Sequence, residues 1–334
     1  MRFLIVGLGS AGQRHARVIR SLFPHATLDV YVGEHRTGLI SIDLKEIDYT
    51  VSPISFYRMN EIESVNILQE KYDLAVIATP ISSHFEYFQR IHTKCKRVII
   101  EKPIGNRASE AETIRETAIR ENLPLLIGYQ HNFNPLVHLI IQKCSKRGVP
   151  KSIDLTFHEY LRSMNTFRDM GSHHLAQPNG GGVLLALSHE LDILLQISNI
   201  EISELKSDFG TSNEFPNVFD QALVSNASSL STKYHPTISV SLSYAAGEKS
   251  RRGKIEWQDA RLSWDFISGK IAAEENGLKT ESFVPLVSGD QLIILQLLYI
   301  LNKSSFDAEL LQRFERALAI LKINEAAKVS GSPA

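Results

Sequence analysis

Gly7, Gly9 and Gly12 stand as GLGSAG directly after the apolar run Phe3–Val6 and directly before a stretch, Ala11–Phe23, in which Ala16, Val18, Ile19 and Leu22 recur at helical spacing. Strand, glycine turn and helix in that order form the opening of a βαβ unit. The first glycine permits a tight turn, the second lets a pyrophosphate approach the backbone, and the third lets helix and strand pack closely. The helix-terminal amides of Ser10, Ala11 and Gly12 would then face the phosphates. A merely structural turn would account for three such glycines floating free. It accounts less well for them in this context, with a second strand, Leu28–Val32, ending about 20 residues further on.

The tip of that second strand reads Val32, Gly33, Glu34, His35, Arg36. Glu34 would hold the ribose 2′-hydroxyl of NAD, whereas Gly33 followed by His35 and Arg36 would accept the 2′-phosphate of NADP. Both cofactors stay open.

The two periods keep alternating through the first half. Asp73–Ala78 and Arg97–Ile100 are apolar strands separated by a helical stretch over 83–94. Ser109–Glu121 is an amphipathic helix and Leu123–Gly128 the strand after it. The pattern predicts an α/β Rossmann domain with a doubly wound parallel sheet. Residues 36–66 follow neither period. From about Lys151 the texture changes to β-propensity segments between turn residues (SIDLTFHEY, QALVSNAS, TISVSLSYAA, GKIEWQ, ARLSWDF), a second and largely antiparallel domain. Helical stretches Gln291–Leu301 and Asp307–Val329 close the chain. At 334 residues two domains are expected: 1–127 for the dinucleotide and 128–334 for substrate binding and oligomerisation.

Charge narrows the partners. Lys plus Arg number 36 against 37 for Asp plus Glu, with no charge block, so neither nucleic acid nor an anionic membrane surface is expected as a partner. Two cysteines, Cys95 and Cys144, are too few for a disulfide framework and read as structural thiols in a reducing compartment. The opening MRFLIVGLGS lacks the apolar length and cleavage site of a signal peptide, and no stretch is long enough to span a membrane. A soluble cytoplasmic protein is expected.

Glu101, Lys102 and Pro103 follow the RVII strand, and strand ends are where open α/β sheets bind ligands. A lysine there can hydrogen-bond a substrate hydroxyl, or simply occupy a surface turn. The order GLGSAGQRH, ATPISSH (78–84), VIIEKP, GYQHNFNP (128–135) and GGGVLLALSHELD (180–192) decides which context applies. Over nearly the whole chain it resembles the glucose-fructose oxidoreductase, inositol dehydrogenase and MocA (Gfo/Idh/MocA) family.

That resemblance implies a Rossmann domain followed by an α/β domain with an open, mostly antiparallel sheet through which members form homodimers or homotetramers. It implies NAD(P)-dependent oxidation or reduction at a ring carbon of a small-molecule sugar, cyclitol or nucleotide-linked sugar. Lys102 would lie beside the nicotinamide and the reacting hydroxyl. Thr79, Pro80, His84, Glu101 and Pro103 would line the cofactor side, and Gln130 and Asn132 the substrate side. Arg162 and Arg168, in the polar stretch Arg162–Asn179, would receive a phosphate or carboxylate or simply be solvated, and the family's placement of this loop at the substrate favours the first.

His189 opens the apolar stretch SHELDILLQI, with Ser188 as its N-cap. In the first helical turn a histidine is favoured in its neutral form, which suits a general base, and the family resemblance implies that role. Asp192, three residues on, would orient His189 or serve structurally, and Glu190 reads as a solvated or structural residue. Two departures from the family pattern stand out. Ala186 occupies the place of a frequent aspartate, and Asn132 that of a frequent arginine. The shorter SHELD form is similar to a branch linked with bacterial surface-sugar and nucleotide-sugar metabolism. His173 and His174 are adjacent, so their side chains diverge, and no metal is expected. Trp257 and Trp264 alternate with polar neighbours as core residues. The rival to an enzyme is a non-catalytic NAD(P)-binding regulator of the same fold.

Overall fold

The computed structural model describes residues 1–33, 38–42, 46–48, 50–67, 71–160, 182–198, 200–211, 220–226 and 236–330. The chain divides into two compact units. Among the described residues the first holds Met1–Gln130 and Gly289–Leu318, and the second holds those between His131 and Ser288 and those from Ala319 on.

The first unit is built around β1 (Arg2–Val6), α1 (Ser10–Leu22) and β2 (Thr27–Tyr31), the elements the glycine motif predicts. A short antiparallel pair follows, β3 (Leu39–Ile40) and β4 (Glu46–Asp48), then α2 (Pro53–Phe56) and β5 (Asn60–Glu61). β6 (Leu74–Ile77), α3 (His84–Ile91), β7 (Val98–Ile100), α4 (Ala108–Arg120) and β8 (Leu125–Ile127) complete the alternation. The parallel sheet has the order β5-β2-β1-β6-β7-β8. It reverses direction between β1 and β6, the switch point at whose strand ends such folds bind ligands. β6, β7 and β8 are buried along their whole length, as parallel strands covered on both faces must be. The stretch that follows neither period holds elements of two to four residues, too short for a period to show.

In the second unit α5 (Pro135–Ser145) is capped by Asn134, whose side chain accepts the Leu136 amide. β9 (Ser152–Tyr160) alternates strictly, with Ile153, Leu155, Phe157 and Glu159 inward. Two helices follow, α6 (Gly182–Ala186) and α7 (His189–Ile197). Then come β10 (Leu205–Gly210), β11 (Gln221–Asn226), β12 (Thr237–Ser243), β13 (Ala245–Glu256), β14 (Ala260–Asp265), β15 (Lys270–Glu275) and β16 (Leu278–Phe283). They form one eight-stranded sheet in the order β10-β11-β12-β9-β13-β14-β15-β16. Every pair is antiparallel except β12 with β9. α6 and α7 pack on the face that carries Leu155, Val240 and Val224. Trp257 and Trp264 are buried, as expected of core residues, and a side chain at Gly253 would strike the Trp264 ring.

α8 (Gly289–Leu301) packs beside α1, where Arg17 grips Asp290 through two hydrogen bonds of 2.6 and 2.9 Å. The division between the two units falls inside the last helix, α9 (Ala308–Ser330). Among the described residues no helix is long and apolar enough to cross a membrane.

Candidate functional site

The glycine loop has the geometry its sequence requires. Gly7 sits at φ 94°, and a β-carbon there would lie 2.6 Å from the Ala78 carbonyl oxygen; at Gly12 it would lie 2.0 Å from the Gly7 oxygen. Both are packing glycines. Gly9 has nothing within 4 Å on that side, so its backbone offers an open surface. It is also the N-cap of α1, with no side chain closing the helix end and no acidic residue in the first turn. The positive end of the helix is thus left for an anion, and these residues fit the pyrophosphate of a dinucleotide.

Two residues that sequence reasoning missed brace this loop. The buried Gln13 side chain donates to the Leu8 and Gly38 carbonyls at 3.3 and 2.9 Å and accepts the Ile40 amide at 2.9 Å. It fastens the glycine loop to the backbone beyond the second strand. His15, fully buried on the same helix, meets Glu101 Oε1 at 2.7 Å. The signal was there: a glutamine and a histidine on the inward face of an amphipathic helix need buried partners.

Glu101 is therefore a positioned carboxylate. Burial pushes its proton affinity up, but the hydrogen bond from His15, the His15 charge, Lys102 and Arg14 outweigh burial and hold it below the ordinary glutamate range. A β-carbon at Gly128 would come within 2.9 Å of Glu101 Oε2, so the glycine ending β8 leaves room for this carboxylate. Lys102 is half-buried and follows it, joined to Pro103 by a cis peptide bond. His84 is wholly buried, with Nδ1 3.1 Å from the Pro103 carbonyl and Nε2 2.9 Å from the Thr79 carbonyl. Desolvation lowers its proton affinity, so the neutral ring donates to one carbonyl at a time. Its place is that of a pin between the loop carrying Thr79 and Pro80 and the loop carrying Lys102 and Pro103.

The second unit gathers another cluster. His189 and His131 are 4.6 Å apart between ring centroids, edge to face at 80°. Arg251 of β13 reaches His131 Nε2 through Nη1 at 2.7 Å and Glu190 Oε1 through Nε at 2.6 Å. Its guanidinium carbon lies 4.6 and 4.8 Å from the Phe157 and Phe266 ring centroids. Asp192 accepts the Gln196 amide at 2.9 Å, and the same amide donates to Asn132 Oδ1 at 2.8 Å. A cavity of about 420 Å³ adjoins the cluster, with His131, Phe157, Lys249, Arg251 and Phe266 in its wall.

One sequence expectation changes here. Ser188 is not a side-chain cap: it has helical backbone angles, φ −63° and ψ −5°, and makes no capping hydrogen bond, because the chain is already winding through α6 and the turn after it. The first-turn argument for His189 loses weight accordingly. Of the two readings of Glu190 the structural one holds, since its side chain is buried and ion-paired with Arg251. Gln130 is half-buried and its amide donates to the Gly128 carbonyl. Glu34, His35, Arg36, Arg162, Arg168, His173 and His174 lie outside the described residues. Among the described residues no group of three His, Cys, Asp or Glu side chains could hold a metal ion.

Together the switch-point sheet, the glycine turn and the open helix end define a nucleotide-binding Rossmann protein. Residues 1–129 match the model of the Gfo/Idh/MocA oxidoreductase family, which has an NAD-binding Rossmann fold. A curated relative, UDP-N-acetylglucosamine 3-dehydrogenase of Acidithiobacillus ferrooxidans, is 22% identical over 286 residues, 85% of this chain and 80% of that one. The solved structure of that dehydrogenase has a TM-score of 0.73 at 20% identity, covering 98% of both chains. A levoglucosan dehydrogenase, solved with NADH and levoglucosan, reaches 0.76 at 14% identity over 99% of this chain and 98% of that one. A super-repressor mutant of Gal80p from Saccharomyces cerevisiae reaches 0.76 at 15% identity over 99% and 95%. At these identities the likeness to the solved structures is one of fold.

Proposed function

We propose that the protein is an NAD(P)-dependent dehydrogenase or reductase that moves a hydride to or from a ring carbon of a sugar, cyclitol or nucleotide-linked sugar. The observation that carries this reading is the Lys102 loop. Its lysine stands next to a carboxylate anchored by His15, and its backbone is pinned by His84 to the loop that packs on the glycine turn. A lysine so held is built to meet a developing negative charge. When bound, a nicotinamide cofactor supplies the hydride acceptor or donor. Gly9 and the amides beginning α1 hold its pyrophosphate. Lys102 polarises the hydroxyl oxygen and stabilises alkoxide character, while His189 takes or returns the hydroxyl proton. Asp192 and Asn132, tied together through Gln196, shape the ground behind His189. The dehydrogenases among the relatives support a sugar-type substrate.

A regulator that binds cofactor without turnover is the second reading, favoured by Ala186 in the place of a frequent family aspartate and by the likeness to Gal80p. One experiment separates the two. The purified protein is mixed with NAD⁺ or NADP⁺ and a panel of free sugars, cyclitols and nucleotide-sugars, and formation of reduced nicotinamide is followed by absorbance. Turnover with at least one panel member is expected; tight cofactor binding with no turnover on any of them would favour the regulator.

A further inference from the structure

Glu190, Arg251, His131 and His189 form a closed circuit. Glu190 is the chain neighbour of His189 on α7; its carboxylate binds Arg251, Arg251 binds His131, and the His131 ring returns to His189. Glu190 and Arg251 are buried to side-chain exposures of 3% and 9%.

A guanidinium has five N–H donors, no acceptor, and never loses its proton in a protein. In the 2.7 Å contact with Arg251 Nη1, His131 Nε2 must therefore supply the lone pair. The His131 proton then sits on Nδ1, and the ring is neutral while the contact lasts. Donor chemistry alone dictates this tautomer. The packing agrees: Phe157 and Phe266 lie against the guanidinium, and the burial of Arg251 partly shields the contact and strengthens it. Arginine suits the post because its planar fork serves two partners at a fixed angle, Glu190 through Nε and His131 through Nη1. The nearby Lys249 is engaged by Glu159 at 2.5 Å, so the neighbouring charges also cancel in pairs.

The consequence falls on His189. A base that alternates between neutral and protonated forms is opposed by a cation at ring contact and tolerates a neutral ring. We propose that Arg251 is a positioning residue for His189, fixing His131 as the neutral, Nδ1-protonated ring that sets the orientation of the His189 imidazole. The kinetic part of this proposal rests on the proton-transfer role given to His189 above; the tautomer does not.

The test uses the full-length protein labelled with ¹⁵N-histidine, its His131 and His189 ring signals assigned by loss in His131→Asn and His189→Asn variants. Wild type should show His131 as the Nδ1-protonated tautomer at neutral pH. Arg251→Met should abolish that form and shift the His189 ring signals, and Arg251→Lys should retain it in part. Because Arg251→Met strands a buried carboxylate, the charge-balanced Glu190→Gln/Arg251→Met double variant is measured beside it. With the best-used member of the sugar panel, kcat of the folded double variant should fall by about tenfold to a hundredfold, the range known for losing a group that orients a metal-bound histidine, with KM little changed. An Nε2-protonated or doubly protonated His131 in wild type, a tautomer indifferent to Arg251, or an unchanged kcat in the folded double variant would overturn the proposal. Full turnover by His189→Asn would instead refute the proton-transfer reading, leaving the ring signals to decide the arrangement.

Discussion

His15 and Glu101, 86 positions apart in the chain, meet at 2.7 Å and join the first turns of α1 to the loop that carries Lys102. Burial works against the Glu101 charge, and His15, Lys102 and Arg14 overcome it, so the folded carboxylate binds its proton less readily than an ordinary glutamate. A group depressed on folding contributes stability above its unfolded pKa and loses it as pH falls through the folded value. Glu101→Gln should therefore destabilise the protein at neutral pH by about 1.5 to 3 kcal/mol, the range for a hydrogen bond to a charged group. The difference from wild type should close below about pH 4, where free glutamate protonates. Urea unfolding across pH on both proteins checks this; a gap that persisted undiminished into strong acid would show that the charge is not what matters.

The three glycines should fail in different ways. Gly12→Ala places a methyl 2.0 Å from the Gly7 carbonyl oxygen, backbone against backbone, with no side chain to give way. It should cost about 1 to 3 kcal/mol or more in stability, as overpacking does. Gly9→Ala meets nothing within 4 Å, so its melting temperature should stay near wild type. If the pyrophosphate is held as proposed, the methyl intrudes on it instead, and the Kd for NADH should rise at least about tenfold, the equivalent of about 1.4 kcal/mol. Thermal melts and cofactor titrations read the two effects separately, and equal stability losses at both positions would contradict the assignment of Gly9 to the ligand side.

What the chain discloses before folding follows from where its partners lie. Strand, turn and helix of the first βαβ unit were legible because each is determined within a few residues, down to the turn at Gly7 and the close packing at Gly12. Gln13 and His15 were not, because their partners Gly38, Ile40 and Glu101 are brought to them only by the sheet order. The two readings of Glu190, solvated or structural, could not be separated for the same reason: its partner Arg251 lies 61 positions on. Ser188 was misjudged because a helix one turn upstream removes the need for a cap, and α6 is too short to announce itself. β10, β15 and β16 escaped notice through weak patterning, and β16 is exposed at every position.

The two cysteines should be inert in the folded protein. Burial pushes the thiols of Cys95 and Cys144 each up to about 12. At pH 8 only about one molecule in ten thousand would present either as thiolate, the reactive form. A chromogenic disulfide reagent should thus find almost no reactive thiol in the native protein and two after denaturation in guanidinium. Rapid titration of either cysteine without denaturant would contradict this burial.

Lys102 offers the most direct separation of binding from chemistry. It lies on the loop braced by Glu101 and His84, whereas the pyrophosphate cradle proposed above is made by Gly9 and the start of α1. Removing its charge should leave the cradle intact. Lys102→Ala should reduce kcat on the best panel substrate by at least about a hundredfold, the order seen when one charge-stabilising donor is lost, while NADH affinity stays within about threefold of wild type, under 1 kcal/mol. Lys102→Arg keeps the charge but replaces a compact ammonium by a wide planar fork, and it should recover little of the rate. Glu101 adds a control: taking away Lys102 removes one of the charges that favour its ionised form, so the acid limb of the stability curve should move toward neutral pH in Lys102→Ala. Turnover that survives Lys102→Ala would exclude the lysine from the reaction and leave the stabilisation of the alkoxide to another group.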